Sequence, residues 1–474
     1  MDAPTVGLGR EHFGAAALGD RRRTERLVYT AEQLMRHPEG TLPRRLRGWA
    51  DLMGLYRLVR CGRVTHAAVS APHAQRTRRL MAREPVVLLL HDWTELDYTT
   101  RTSLGGLGQI GRGTRRGYVC HNTLAVTPDR RVLGLAHQHL HARRDVPAGE
   151  SARQRREHPG RESRLWVKAA EAVGPPPAAG ASLWVDVADR GADVFEFMDY
   201  ELAHGRHFLV RARHGGRVLE GDDHVGCDRV YRHLGPYVRD LPPMGERPLP
   251  LPAAGGSAAR VATVAVSAGP VVLAPQEFPR GECRRGECRG VPLGLWAVRV
   301  AEVGPPPGAA PLEWVLLGDL PAGTAAAAWE RVQWYACRPV VEELHKAMKT
   351  GASVERPQFE SADRLEPVIA LLSVVSAVLL GLRELARRHD ADRVPATCVM
   401  PRRQVRVLAA WRYGDASASD DMTLLQFVMA LGRLGGHLNR KGDGTPGWLT
   451  LWRGWAALQL MTEGAELAGP KRSV

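Results

Sequence analysis

The chain has 474 residues, of which 44% are hydrophobic, and it carries a formal net charge of +14. This length accommodates two or three globular domains with a sizeable core. The strongly basic balance favours an anionic partner, usually nucleic acid and less often a membrane surface, although a solvated arginine-rich surface has the same composition.

Cysteine usage and apolar runs argue against two further classes of protein. The seven cysteines are scattered and odd in number, which does not suggest a disulfide framework. Cys283 and Cys288 form half a zinc site at most, because no matching Cys or His pair follows, and a loop with two free thiols is the simpler interpretation. The N-terminus has no apolar stretch after a basic start, so we expect no signal peptide. The longest apolar run, residues 367–382, is shorter than the ~20 residues of a membrane span and predicts a buried core helix in a cytoplasmic protein.

Residues 1 to about 75 have a helical pattern. In LGDRRRTERLVYTAEQLM, Asp20 is a candidate N-cap. Three apolar residues of this helix fall on one face: Leu27, Ala31 and Leu34. Three arginines fall within one turn and share a side of it: Arg22, Arg23 and Arg26. A solvated charged face explains these arginines as well as a binding surface does.

The central part predicts strands interleaved with helices. EPVVLLLHDW is a short apolar run typical of a buried strand, which we expect to end at Asp92. GYVCHNTLAVTPDRRVLGLAHQHL predicts two strands around a turn at Pro128–Asp129. SLWVDVAD predicts a buried strand that ends at Asp189, with a tight turn and a helix after it, and HFLVRARH predicts a further strand. These elements together indicate an α/β core.

The composition and hydrophobic pattern change again from about residue 215 to residue 312. Segments dense in Pro and Gly alternate with short strand-like runs, which predicts a β-rich insertion. PLEWVLLGDL then predicts a strand. TAAAAWERVQWYACRPVVEELHKAMKTG predicts a long helix that Pro339 can kink and Gly351 can end. The remainder of the chain is predicted to be helical.

Two aspartates are placed where α/β folds form their sites. Asp92 and Asp189 each follow a predicted buried strand, and a carboxylate there lies at the rim of a sheet. Metal-dependent phosphoryl transfer requires hard oxygen ligands that converge from separate elements. A turn residue or a helix cap is the alternative for each aspartate, with a helix beginning directly after Asp189.

Five residues of the long predicted helix form a stripe with spacings of three, four, four and three residues: Tyr335, Arg338, Glu342, Lys346 and Lys349. A carboxylate flanked by cations and a phenol suits a metal site beside a phosphate backbone. A surface salt-bridge ladder has the same spacing. Only five of the 65 basic residues are lysines, and two of them lie in this stripe. A compact ammonium on a flexible stem can reach one phosphate oxygen without imposing a planar fork.

The segment YACRPVVEELHKAMKTGASVERPQFESADRLE resembles the signature helix of the DDE transposases of the insertion-sequence-four type. We call residues 335–349 the signature segment. LGDRRRTERL is similar to the family's end-binding segment, and HDWTELDYT and VADRGADVFEFM are similar to its first and second catalytic aspartate motifs. LGRLGGHLNRKGDGTPGWLTLWRGWAALQ also matches, so the resemblance covers nearly the whole chain.

The resemblance implies an α/β fold with an RNase H-like catalytic core, interrupted by the β-rich insertion and flanked by helical N- and C-terminal domains. The implied division is 1–75 for end binding, 76–385 for the core with the insertion at about 215–312, and 386–474 for dimerisation. Two Mg²⁺ ions, which Mn²⁺ can replace, would be held by three acids: Asp92, Asp189 and Glu342. Glu343 is the competing acid, but it points about 100° away from the stripe.

The resemblance also implies a set of DNA contacts. Trp314 would stack on a base flipped out of a DNA hairpin, although a core tryptophan on a strand is the ordinary alternative. Phosphates of the element end would be contacted from the signature segment by Tyr335, Arg338, Lys346 and Lys349. Arg211 and Arg213 would lie against DNA near the active site, and the terminal repeat would be contacted by Arg22, Arg23 and Arg26. Pro339 departs from the family pattern, which has an aromatic residue after the signature arginine.

The implied activity is cut-and-paste transposition of double-stranded DNA by a homodimer on paired element ends, in the cytoplasm at the bacterial nucleoid. Hydrolysis at the element end, hairpin formation, hairpin opening and strand transfer to target DNA would follow one another. Two alternatives remain open at this point. One is a DNA-binding protein that keeps the fold without transposing, and the other is an RNase H-like nuclease that acts on other nucleic acids.

Overall fold

The computed structural model describes residues 8–468 except 39, 47, 179, 214, 220–224, 227, 228, 231, 232, 252–259, 276–290, 309, 310, 387, 441 and 442. The chain forms two compact units. Unit 1 comprises residues 1–84, 93–145 and 340–474, and unit 2 comprises residues 85–92 and 146–339. The three-part division inferred from the sequence remains a prediction.

The described α-helices, in chain order, are α1 (Leu8–Phe13), α2 (Arg21–Arg36), α3 (Leu42–Leu46), α4 (Trp49–Val59), α5 (His66–Met81), α6 (Ala152–Glu157), α7 (Leu165–Val173), α8 (Phe195–Ala203), α9 (Leu234–Asp240), α10 (Ala325–Tyr335), α11 (Pro339–Lys346), α12 (Ala362–Leu385), α13 (Arg402–Tyr413), α14 (Leu424–Leu434) and α15 (Trp448–Ala468). A π-helical turn, Ala347–Gly351, continues α11. The helical character predicted for both ends of the chain is confirmed.

The described strands are β1 (Val86–Asp97), β2 (Gly108–Gln109), β3 (Arg116–Val126), β4 (Val132–His141), β5 (Leu183–Ala188), β6 (His207–Arg211), β7 (Val225–Gly226), β8 (Arg229–Val230), β9 (Gly245–Leu251), β10 (Arg260–Leu273), β11 (Leu293–Glu302) and β12 (Glu313–Gly318). Ten of them, all but β7 and β8, belong to a mixed sheet with parallel and antiparallel pairs. The predicted α/β class is therefore confirmed.

The N-terminal helices of unit 1 follow the sequence pattern closely. Asp20 is the N-cap of α2, and its Oδ1 accepts a hydrogen bond from the Arg22 amide at 2.8 Å. The predicted apolar face of α2 is buried, with Leu27, Ala31 and Leu34 at most 1% exposed. The cap satisfies one of the amides that a helix start leaves without an intrahelical partner, so both the start of α2 and its inward face are encoded locally.

The strands of unit 1 pack against helices. β3 pairs with β2 and with β4 in antiparallel register, and the β3–β4 connection is the predicted turn at Pro128–Asp129. Helices α5 and α12 pack on β4. Helix α12 is long and apolar enough to cross a membrane by length and composition, but 83% of its most apolar window is buried. This burial matches the predicted core helix.

In unit 2, β1 pairs with β5 in parallel through residues 86–91 and 183–188, and β5 pairs with β6 in parallel. The order then continues through antiparallel neighbours as β6, β12, β11, β10 and β9. Strand β9 ends this order, and its Pro248 and Pro250 are tolerated there because proline cannot donate to a central ladder. Residues 215–312 contain β9, β10 and β11 together with the short helix α9, and their assignment as an insertion remains a prediction. Cys283 and Cys288 lie outside the described residues.

Two local predictions were wrong. Strand β1 does not end at Asp92 but continues to Asp97, because residues 93–97 keep strand-forming side chains, with Leu96 buried. The long helix is interrupted, since α10 ends at Tyr335 and α11 begins at Pro339. Proline has no amide hydrogen to continue the preceding helix, but it suits the first position of a new one. The signature stripe is therefore not carried by one continuous helix.

Candidate functional site

Two of the predicted acids converge on one cation in unit 2. The Arg338 side chain, which follows α10 in a turn, places its Nη2 3.1 Å from Asp92 Oδ2 and 3.5 Å from Asp189 Oδ2. The parallel pairing of β1 and β5 places these acids close together, because Asp92 follows the last paired residue of β1 and Asp189 follows the last residue of β5. The Asp92 side chain is 12% exposed and that of Asp189 is 34% exposed, so both acids remain accessible from one side.

Asp189 serves two purposes at once. Its Oδ1 accepts a hydrogen bond from the Gly191 amide at 2.8 Å and caps the 3₁₀ turn Arg190–Ala192, whereas its Oδ2 faces Arg338. The alternative considered from the sequence, a turn or cap residue, is therefore also true. The cap fixes the carboxylate plane, and this leaves the second oxygen directed at the shared cation.

A buried charge network lies next to these acids in both strands. His91, which precedes Asp92, has its Nε2 2.6 Å from Asp186 Oδ1, and Arg206 Nη2 donates to Asp186 Oδ2 at 2.8 Å. Burial opposes ionisation of Asp186, but Arg206 and His91 outweigh it and lower its pKa. Burial and the nearby Asp186 raise the pKa of Glu201 well above its usual range. Sequence reasoning missed this network, although a polar residue inside each apolar strand run was a visible signal.

An aromatic and cationic cluster in unit 2 lies close enough to Arg338 and Asp189 for both to act on Tyr335 electrostatically. The rings of Trp314 and Tyr335 meet edge to face with centroids 5.2 Å apart, and the Arg211 guanidinium lies 6.0 Å from the Trp314 ring centroid. The pKa of the Tyr335 hydroxyl is raised, because the effect of burial outweighs the opposing effects of Arg211 and Arg338. The structure therefore brings three predicted DNA-contact residues together. Arg213 is exposed, and its backbone amide donates to Asp193.

Glu342, Lys346 and Lys349 belong to unit 1. The competing acid Glu343 is held by two cations, with Arg383 Nη1 at 3.1 Å and Lys346 Nζ at 3.2 Å. Lys349 lies on the π-helical turn, 4.0 Å from Glu355. The Lys346 side chain is 58% exposed, so it can reach a partner in solution. Glu343 thus has a structural role in unit 1, and the choice of Glu342 for chemistry remains a prediction.

The metal centre predicted from three acids is not formed as a group. Among the residues that the structure describes, no three His, Cys, Asp or Glu side chains are arranged to hold a metal ion. The donor chemistry of the two aspartates nevertheless suits a hard divalent cation, because both present carboxylate oxygens to the same positive charge. The three-acid assignment remains a prediction.

The predicted end-binding arginines lie on α2 in unit 1. Arg22 is exposed, Arg23 Nη1 donates to the Leu18 carbonyl at 3.0 Å, and Arg26 Nη1 pairs with Asp51 at 3.0 Å. Trp49, at the start of α4, is 75% exposed. An exposed aromatic side chain close in sequence to basic residues is typical of a surface that binds nucleic acid.

Residues 9–64 match the family model described as transposase DNA-binding. The matched segment contains α2, α3 and α4 with the three arginines and Trp49. The chain therefore carries a transposase DNA-binding domain at its N-terminus. The prediction of a DNA partner is confirmed through this domain, and the DNA contacts of its individual arginines remain a prediction.

Proposed function

We propose that this protein is a DDE-type DNA transposase of the insertion-sequence-four type, with an RNase H-like catalytic core, which catalyses cut-and-paste transposition. The observation that carries the proposal is the convergence of Asp92 and Asp189 on Arg338 Nη2, in a chain whose N-terminal domain is a transposase DNA-binding domain. Carboxylates that project from adjacent parallel strands are an arrangement used for metal-assisted phosphoryl transfer.

In this proposal Asp92, Asp189 and Glu342 hold two Mg²⁺ ions, which Mn²⁺ can replace. Ions held there would supply a water nucleophile at neutral pH and would stabilise the charge that develops on the phosphate oxygens. Asp92 and Asp189 contribute one oxygen each on the side now facing Arg338, and the cap on Asp189 keeps its carboxylate oriented. Glu342 would complete the set from α11, where it holds the acidic position of the signature segment.

The cationic side chains bind the substrate. Arg338, Lys346 and Lys349 bind phosphates of the element end, while Tyr335 and Arg211 flank Trp314, on which a flipped base stacks. Arg213 lies along the DNA near this cluster. The end repeat is bound by the N-terminal domain through Arg22, Arg23 and Arg26. Hydrolysis leaves a 3′-hydroxyl, which attacks the opposite strand to form a hairpin, and after the hairpin is opened the 3′-hydroxyls attack target DNA.

The proposal includes a homodimer assembled on two DNA ends in the cytoplasm, at the nucleoid. Helix α15 exposes two large apolar side chains, Leu460 at 51% and Leu467 at 87%. They lie seven residues apart and therefore fall on the same side of the helix. A second copy would cover them. Changing both to serine should keep the protein monomeric on DNA in light scattering, whereas the wild type should pair two ends.

The experiment that tests the activity is a cleavage assay on DNA bearing the inverted repeats that flank this protein's own gene. Wild type, Glu342→Gln and Glu343→Gln are compared with Mg²⁺ or Mn²⁺, and products are separated on a denaturing gel. Glu343→Gln is the matched control, because it changes the adjacent acid of the same helix. Hairpin ends from wild type and Glu343→Gln, but not from Glu342→Gln, would support the proposal.

One observation favours a second function. Arg338 pairs with both aspartates, and a protein that binds DNA without cutting it can keep this arrangement. Specific binding of the repeats without a cut by any variant would select this silent DNA-binding function. Cleavage without preference for the repeats would instead indicate a nuclease of broader substrate range.

A further inference from the structure

A buried hydrogen-bonded chain crosses unit 1 and ends on α11. His66 of α5 contacts Gln138 of β4, with Nε2 3.0 Å from Oε1. Gln138 Nε2 donates to Asn122 Oδ1 on β3 at 2.7 Å, and Asn122 Nδ2 lies 3.1 Å from His345 Nε2 on α11. Asn122 is 0% exposed, Gln138 6% and His345 8%. This chain, which we call the amide relay, joins the sheet to the helix that follows Arg338.

The direction of the bonds in the amide relay follows from the orientation of the Gln138 and Asn122 amides. Gln138 donates through its amide nitrogen, so Asn122 must accept with Oδ1 and present its own amide nitrogen to His345. An amide nitrogen cannot accept, so in this arrangement His345 Nε2 is the acceptor. Asn122 Nδ2 also donates to the Cys120 carbonyl at 3.3 Å, which holds the amide in this orientation.

The contact on α11 falls beside the residues assigned to chemistry. His345 lies three residues after Glu342 and directly before Lys346, so His345 and Glu342 occupy the same side of the helix. A hydrogen bond at this point opposes rotation of α11 about its axis. A side chain displaced by about 1 Å can lose about 100-fold in rate, because the reacting groups must be held close to their productive geometry.

We infer that Asn122 is a positioning residue for the reaction, which acts through His345 to set the rotation of α11 and thereby the place of Glu342 and Lys346. The inference rests on the proposed function. It gives Asn122 on β3 and Gln138 on β4 a part in positioning α11, which the signature segment by itself does not reveal. Asn122 acts on the geometry of the catalytic helix and is not expected to touch DNA or a metal ion, because it is fully buried.

The test compares variants that keep or remove one hydrogen bond. Asn122→Leu has the same branching without the amide, and His345→Met and His345→Gln are of similar length but only glutamine retains a strong acceptor. Single-turnover cleavage at saturating DNA is measured together with DNA affinity and with amide hydrogen exchange of residues 340–346. Asn122→Leu and His345→Met should slow cleavage by at least about tenfold and speed exchange, with DNA affinity nearly unchanged. His345→Gln should remain within about threefold of wild type in rate.

Gln404→Met supplies the control for a purely structural effect. Gln404 is buried in the same unit, and its Nε2 donates to Gln459 Oε1 at 3.1 Å. It should lower thermal stability while leaving the saturating cleavage rate and exchange in α11 unchanged. The inference is overturned if Asn122→Leu cleaves like wild type, if Gln404→Met loses as much rate, or if exchange in α11 does not respond. If wild-type protein does not cut DNA at all, the proposed function fails, and hydrogen exchange still decides whether Asn122 sets α11.

Discussion

Arg338 Nη2 lies 3.1 Å from Asp92 Oδ2 and reaches Asp189 Oδ2 with the same nitrogen. A guanidinium between two carboxylates offsets their repulsion. A divalent cation that binds the same carboxylate oxygens must therefore displace the guanidinium. Arg338→Ala should therefore bind Mn²⁺ about tenfold more tightly than wild type in the absence of DNA. The measurement is Mn²⁺ titration followed by electron paramagnetic resonance or calorimetry.

The same variant should cut element ends more slowly, because the proposed phosphate contact is lost. Arg239→Ala is the control, since Arg239 is an exposed arginine of unit 2 that pairs with Glu313. Equal Mn²⁺ affinity in Arg338→Ala and wild type would show that the arginine does not compete with metal, and the proposed metal ligands would then need revision.

Trp314 should matter for one step of the reaction more than for others. Its ring contacts Tyr335 and lies beside Arg211, which suits a platform for an unstacked base. Stacking on an aromatic side chain contributes about 1–3 kcal/mol per base, so Trp314→Ala should slow hairpin formation by roughly 5- to 150-fold. First-strand nicking should change little, because no base is extruded at that stage.

The gel that separates nicked from hairpin product measures both rates in one experiment. Trp314→Phe keeps a stacking face and should recover most of the hairpin rate. A uniform loss of nicking and hairpin product in Trp314→Ala would instead indicate that the tryptophan supports the fold of β12.

Helix and strand boundaries could be predicted from the sequence where the residues that set them lie in one short segment. Boundaries that depend on contacts with distant residues could not. Asp20 begins α2 because an aspartate cap and an apolar period occur within one short segment. The end of β1 could not be placed, since the residues after Asp92 have strand propensity and only pairing decides where a strand stops. Pro339 signalled a disturbance, but the sequence did not distinguish a kink from a new helix start.

The site residues also divide into those that local sequence identified and those that depend on tertiary contacts. Asp92 and Asp189 were identified by their position after buried strands, and the structure brings them together. The amide relay through Asn122 and Gln138 was not identified, because a hydrogen bond between residues 122 and 345 leaves no periodic trace in the sequence. The sequence indicated the amide relay only through polar residues inside apolar strands. Such residues can form hydrogen bonds with many partners, so their actual partners could not be predicted.

Arg45 should be required for the stability of unit 1. It is 1% exposed and donates to three carbonyls, those of His37 at 3.0 Å, Ala352 at 3.1 Å and Leu34 at 3.2 Å. Arg45→Met would leave these oxygens without their donor, at a cost of roughly 3 kcal/mol in the free energy of unfolding. Urea denaturation measures this loss. Arg44→Met, on the exposed side of the same helix, should change the unfolding free energy by less than about 0.5 kcal/mol.

Lys349→Arg should impair activity although it preserves charge. Lys349 lies on the π-helical turn with a 34% exposed side chain, 4.0 Å from Glu355. A planar guanidinium is broader than an ammonium, so it cannot bind a single phosphate oxygen in the same space. We expect cleavage to fall by about tenfold at saturating DNA, with Lys441→Arg as the control outside the signature segment. Full activity in Lys349→Arg would show that charge alone is required there.

The buried histidine pair His12 and His73 should make the protein sensitive to acid. Their Nδ1 atoms lie 2.8 Å apart, and His73 Nε2 accepts from the Leu135 amide at 2.9 Å, so the proton between the rings belongs to His73. Burial lowers the pKa of His12 to about 2 and that of His73 to about 3. The unfolded chain therefore binds protons at these groups well before the folded protein does.

Stability consequently falls as the pH drops through the ordinary histidine pKa of about 6.5 and continues to fall until the folded pKa values are reached. Each histidine should lower the free energy of unfolding by about 2 kcal/mol between about pH 7 and about pH 5. The double variant His12→Gln with His73→Gln removes both titrations and keeps polar side chains. Urea denaturation of both proteins at the two pH values isolates the effect, because acidic groups elsewhere contribute equally to both. An equal pH dependence in variant and wild type would mean that burial does not lower the pKa values of this pair relative to the unfolded chain.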